Sequence, residues 1–194
     1  QFAEHINIQK LDVSKYEDVE EFFKYIDTKY GSFEVLVNNA GIRKDSVVAM
    51  MRESDWHDVV DVNLAGIFYT CKFAVRSLMR ERYGRIINIS SVMERYAFEG
   101  QANYAASKAG LSAFTRSLSK EIATRGITVN CVSPGFIETE LIRDLPDKLR
   151  ETYLGRIPMK RFGGPEEVAT CVLFLASKEA SYVTGSILEV SGGL

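Results

Sequence analysis

Residues 84–91 read Gly84-Arg85-Ile86-Ile87-Asn88-Ile89-Ser90-Ser91, and residues 126–135 read Gly126-Ile127-Thr128-Val129-Asn130-Cys131-Val132-Ser133-Pro134-Gly135. A helical stretch from about 103 to 124 lies between them. Each run is short, β-branched and nearly continuous in its apolar character, as expected of a strand covered on both faces. Two such runs joined by a helix-length segment predict a parallel pair with a crossover connection.

The alternation continues outward in both directions. Residues 6–13 and 33–38 read as further strands. Val19, Phe22, Phe23 and Ile26 recur at helical spacing and predict a helix over 16–29, capped by Ser14. Ser54 opens a long helical stretch to about 82, shorter helices are expected near 141–153 and 165–176, and a last strand over 186–190. The pattern predicts an α/β fold: a doubly wound parallel sheet with helices on both faces, as a single domain over 1–194.

Composition agrees with that architecture. The 194 residues carry 24 Lys plus Arg against 26 Asp plus Glu, a formal net charge of −2, and are 46% apolar. This is a globular chain with a core and no electrostatic reason to seek nucleic acid or an anionic membrane. No apolar run approaches the roughly 18 residues of a membrane span. Cys71, Cys131 and Cys171 stand far apart in apolar surroundings and read as free thiols of a reducing compartment. With only His5 and His57 present, neither a His-centred triad nor a multi-His metal site is expected.

In parallel sheets ligands bind beyond the carboxyl ends of the strands. Here those ends carry Asp12-Val13, Asn38-Asn39-Ala40-Gly41, Ser90-Ser91 and Ser133-Pro134-Gly135, which should gather on one edge. Tyr104 and Lys108 share a helix face close to it. An ammonium beside a phenol favours the phenolate and draws the Tyr pKa down from about 10, so Tyr104 could exchange a proton with a substrate oxygen. A second such pair, Tyr25 and Lys29, lies on a charged helix fed by no polar strand end and reads as solvated surface. Ser91, thirteen residues before Tyr104, could direct its hydroxyl at the same oxygen. Asn63 sits inside a helix where a short amide is a poor former; it reads either as a satisfied structural amide or as the anchor of a water leading to Lys108. The small residues Asn39, Ala40 and Gly41 would let a flat ligand approach, and Asp12 could accept from an amino group on it. The turn from Pro134 and Gly135 through Ile137 to Thr139 could hold an amide or a phosphate.

Taken in order and spacing, Asn38-Asn39-Ala40-Gly41, Asn63, Ser91, Tyr104, Lys108 and Pro134-Gly135 resemble the short-chain dehydrogenase/reductase family. Gly100-Gln101-Ala102-Asn103-Tyr104, Arg125-Gly126-Ile127-Thr128-Val129-Asn130, Val183-Thr184-Gly185 and Ser191-Gly192-Gly193 are similar to its members that reduce 3-oxoacyl thioesters on an acyl-carrier protein in fatty acid synthesis. The resemblance implies a Rossmann-like fold and an NADPH-dependent oxidoreductase. Tyr104 would be the general acid, Ser91 would orient the carbonyl, Lys108 would lower the Tyr pKa and hold the nicotinamide ribose, and Asn63 would anchor a relay water. Asp12 and Val13 would flank the adenine, Asn39, Ala40 and Gly41 the adenosine side, and Ile137 and Thr139 the carboxamide. It also implies a homotetramer, an acyl-carrier protein docking beside the cleft through Arg82 and Arg125, and a cytoplasmic or organelle-stromal location. Other readings are a reductase of a different ketone or secondary alcohol, and a non-catalytic binding subunit.

The chain departs from the family twice. None of its fourteen glycines forms a Gly-x-Gly, so the phosphate-binding turn of the first βαβ unit is absent from this sequence. By comparison with the family, roughly fifty residues would precede Gln1. Glu94, Arg95 and Tyr96 stand where the subgroup often has smaller residues, on a loop expected to border the substrate.

Overall fold

A computed structural model describes residues 6–139 and 146–194. Its framework is a sheet of four parallel strands in the order β1-β2-β3-β4: β1 (Val35–Asn38), β2 (Gly84–Ile89), β3 (Ile127–Pro134) and β4 (Ile187–Val190). The helices are α1 (Tyr16–Tyr30), α2 (Glu53–Val60), α3 (Gly66–Glu81), α4 (Met93–Tyr96), α5 (Ala102–Ile122), α6 (Asp147–Arg156) and α7 (Pro165–Ala176). The helix expected over 141–153 falls partly outside the described residues, and its described part is α6.

Successive strand residues point to opposite faces, which divides the core in two. Ile86, Ile127, Val129 and Cys131 pack against Val19 and Phe23 of α1, Ile67 and Leu78 of α3, and Leu111 of α5. Their neighbours Ile87 and Val132 turn the other way, onto Leu175 and Val168 of α7. Helices on both faces, as the apolar runs require, make this an α/β Rossmann-like fold. Pro165 opens α7 at the position where a missing N–H does no harm, and Glu167 turns back to accept the Gly164 N–H at 2.8 Å.

A buried polar layer fixes the strands near their carboxyl ends. Asn38 Nδ2 donates to Asn88 Oδ1 at 2.8 Å, and Asn88 Nδ2 donates to Thr115 Oγ1 at 2.9 Å. Thr70 Oγ1 donates to Asn38 Oδ1 at 2.8 Å, so the amides of β1 and β2 are satisfied internally and lock the sheet to α3 and α5.

One expectation is corrected and one refined. Residues 6–13 form no ladder among the described residues: Ile6 and Ile8 are exposed, Leu11 packs on the core, and the polar side chains reach α1. Lys29 Nζ donates to Asn7 Oδ1 at 3.2 Å and Gln9 Nε2 to the Tyr25 hydroxyl at 3.4 Å. A strand needs a neighbour's backbone groups, and among the described residues β1 bonds only to β2. The helical stretch expected over 54–82 runs unbroken as α2 and α3 joined by a π-helical turn, Asp61–Ala65, with Asn63 in its middle. Such wide turns collect at functional sites.

Candidate active site

The carboxyl ends of β1, β2 and β3 open onto a cleft of about 920 Å³. Asn39 and Gly41 follow β1, Ser91 follows β2, Pro134, Gly135, Ile137 and Thr139 end or follow β3, and Tyr104 and Lys108 come from α5. A smaller volume of about 240 Å³ adjoins it, sharing Ser91, Tyr104, Gly135, Ile137 and Thr139 and adding Phe98, Phe136 and Tyr153. Ser91 and Tyr104 line both spaces, and the Ser91 hydroxyl lies within hydrogen-bonding reach of the Tyr104 phenol. A third hollow of about 220 Å³, beside Asn39, is lined by Val13, Ala40 and Gly66.

Local structure explains each position. Gly135 donates its N–H to Val190 O at 2.9 Å, and a Cβ there would lie 2.8 Å from Ser191 Cα, so only glycine lets β3 leave the sheet at this point. The turn beyond it is tied down by a bridge between Ile137 and Gly163. Ser91 Oγ accepts the Met93 N–H at 3.2 Å, which seats α4 directly after β2.

Asn63 is fully buried, and its amide is occupied by protein. Oδ1 accepts the Ile42 N–H at 2.8 Å, while Nδ2 donates to Ile42 O at 2.9 Å and to Ser107 Oγ at 3.2 Å. It clamps the loop after β1 against α5. Asp12 also has local work: its carboxylate accepts from the Ser14 hydroxyl at 2.6 Å and the Ser14 N–H at 3.1 Å, which holds its pKa below the usual carboxylate value. It lines neither the cleft nor the adjoining hollows.

The electrostatics differ from what spacing suggests. Lys108 is buried and donates Nζ to Ile89 O at 2.7 Å; burial pushes its pKa down to about 8. Tyr104 is raised above its ordinary value of 10.0 by burial, with the Ser91 hydroxyl pulling the other way. The phenol–ammonium bond forms instead in the surface pair, where Lys29 Nζ donates to Tyr25 OH at 2.6 Å and the Tyr25 pKa falls.

Arg82 and Arg125 are not beside the cleft. Arg82 caps the end of α3 and Arg125 ends the short 3-10 turn that follows α5, where the chain turns into the amino ends of β2 and β3. The six residues of β2 separate that edge from Ser91, roughly 20 Å at the rise of a strand.

The sequence reading missed the cleft's walls. Val168 and Val172 of α7, one helical turn apart, line it opposite Ile89, and their spacing was a usable signal. Phe98, Phe136 and Tyr153 stack with centroids 4.4 to 6.2 Å apart, yet come from three separate segments that no local pattern connects.

Comparison with known proteins agrees with this geometry. The profile of the family described as Enoyl-(Acyl carrier protein) reductase matches residues 1–194. The 3-oxoacyl-[acyl-carrier-protein] reductase of Thermotoga maritima is 50% identical over 184 residues, 95% of this chain and 75% of that protein. The enzyme of the same name from Vibrio cholerae is 46% identical over the same shares, and that from Chlamydia muridarum 42% over 97% and 76%. A parallel sheet, a cleft at its carboxyl edge, and matches over the length of the chain lead to one conclusion: the chain belongs to the short-chain dehydrogenase/reductase family.

Proposed function

We propose that the protein reduces the 3-oxo group of an acyl thioester carried on an acyl-carrier protein to the 3-hydroxy form, in fatty acid synthesis, with NADPH as reductant. The observation that carries this reading is the pairing of two hydroxyls, Ser91 and Tyr104, that line both of two adjoining volumes, with the buried Lys108 lining the larger. The relatives named above are reductases of this substrate class, which supports the choice of thioester.

A nicotinamide cofactor suits the larger volume. Its size lies within the range of cofactor sites, and Gly41 leaves open the space that a Cβ would fill, 3.5 Å from Lys108 Nζ and 3.4 Å from Asn63 Oδ1. Asn39, Gly41, Lys108, Ile137 and Thr139 would hold the nicotinamide and its ribose, and Val13 and Ala40 the adenosine side. When bound, this group supplies a hydride to the carbonyl carbon. Ser91 donates a hydrogen bond to the carbonyl oxygen, and Tyr104 gives that oxygen its proton as negative charge develops. Burial holds the Tyr104 proton in place until then. Lys108, cationic below about pH 8, stabilises the phenolate left behind. The 194 residues are read as one domain of this reductase, working as a homotetramer.

The test is NADPH oxidation by the intact protein with an acetoacetyl thioester on a carrier protein, with NADH, an enoyl thioester and a free ketone as comparisons. The expected result is oxidation with the 3-oxo thioester and a loss of roughly a hundredfold or more in Tyr104→Phe. Activity retained in Tyr104→Phe, or a preference for the enoyl thioester or free ketone, would overturn the assignment. Arg82→Glu with Arg125→Glu asks whether the edge remote from the cleft takes part in carrier docking: a raised KM for carrier-bound substrate alone would show that it does.

A further inference from the structure

Glu94, Arg95 and Tyr96 are the residues that set the loop after β2 apart. Arg95 and Tyr96 are exposed, and Arg95 pairs with Glu189 at the edge of β4. Glu94 turns inward. Its Oε2 accepts from Ser90 Oγ at 2.8 Å and also from Ser112 Oγ. Ser90 ends β2 next to Ser91, and Ser112 lies one helical turn beyond Lys108 on the same face of α5. Ser90 Oγ also approaches the Lys108 carbonyl oxygen at 3.2 Å. One carboxylate thus joins the strand end that carries Ser91 to the helical turn that carries Lys108.

The surroundings of the ammonium make that carboxylate matter. From β2, Ile89 O accepts from Lys108 Nζ. From the loop after β1 come Gly41 and, behind it, the Asn63 amide; from its own helix come Tyr104 and Ser107. From β3 comes Cys131, a thiol pushed up to about 11 by burial and therefore neutral under ordinary conditions. Arg43 and Asp45, from the loop after β1, act on Tyr104 instead. Glu94 makes no ion pair with Lys108 but acts on it through space, and its negative charge works against the burial that destabilises the ammonium.

We propose that Glu94 is a positioning residue for Lys108, holding its helix turn against the Ser90–Ser91 strand end and supplying the counter-charge that keeps the buried side chain cationic. The proposal rests on the reductase reading only in that Lys108 works there as a cation.

Glu94→Gln separates charge from shape, because the amide oxygen can still accept from Ser90 and Ser112. In the intact protein labelled with 15N-lysine, the Lys108 signal is identified by its loss in Lys108→Met and followed against pH. The expected result is a Lys108 titration midpoint lowered by roughly half a unit or more in Glu94→Gln, with Glu94→Asp staying near wild type. The alkaline fall in kcat should move to lower pH by the same amount. Glu94→Ser, small and neutral, repeats the measurement if the amide variant does not fold. An unchanged midpoint in the neutral variants would overturn the proposal and leave Glu94 a structural strut. The titration is read without turnover, so a wild-type protein inactive on 3-oxo thioesters would sink the reductase reading while the midpoint still decides this one.

Discussion

Lys108 Nζ donates to the Ile89 carbonyl oxygen at 2.7 Å, while the Tyr104 ring centroid stands 5.7 Å from the same nitrogen. The lysine is therefore aimed along the cleft floor at the end of β2 and does not hydrogen-bond the phenol. Burial holds that phenol protonated, and the charged groups that act on it are Arg43 and Asp45.

Lys108 should leave a signature in stability against pH. Its pKa is about 8 in the fold against an ordinary 10.5, so between those values the unfolded chain binds the extra proton. Stability contributed at this site therefore rises with pH from about 8 to 10.5, by roughly 3 kcal/mol in all. Urea unfolding of wild type and Lys108→Met should show wild type gaining on the variant across that window. A constant gap would show that the ammonium is better solvated than its burial implies.

Asn63→Ala should destabilise the fold by roughly 1–3 kcal/mol, because it leaves the Ile42 N–H and C=O and the Ser107 hydroxyl without their amide partner. Asn63→Asp should lose more at neutral pH, since a charge replaces a fully buried amide. The shift of the urea midpoint at constant slope checks both.

Gly126 has φ +73°, and a Cβ there would lie 2.5 Å from the Arg82 carbonyl oxygen. Gly126→Ala combines an unfavourable backbone with a clash against rigid backbone, so a loss of more than about 1 kcal/mol is expected in thermal unfolding. Reductase activity per folded molecule should change little, because Gly126 opens β3 at the end remote from Ser91.

Thiol reagents should distinguish the cysteines. Cys71 and Cys131 are buried, with pKa values pushed up to about 12 and about 11 by desolvation, whereas Cys171 is only partly buried. The native protein should react quickly at one thiol and at the other two only after denaturation.

The strands at 84–89 and 127–134 were legible because a segment buried on both faces must be apolar at nearly every position, and that requirement is local. Residues 6–13 carry a similar local pattern, but pairing is a property of neighbours, and here the segment lies along α1. Ser91, Tyr104 and Lys108 could be brought together on paper because strand ends in a parallel sheet share an edge. The direction of the Tyr104 shift could not, since i, i+4 spacing gives proximity and not the bond that the ammonium chooses. The aromatic wall was invisible for a different reason: Phe98 follows α4 while Tyr153 lies on α6, and no local pattern links segments so far apart in the chain.

The sharing of Ser91 and Tyr104 by the two volumes has a geometric corollary. A flat carbonyl whose oxygen is held by both hydroxyls turns one side toward the larger cleft and keeps its substituents in the aromatic-walled one. Hydrogen arriving from the larger cleft meets a single side of the trigonal carbon, so the alcohol that leaves should be one mirror-image form and not a racemate.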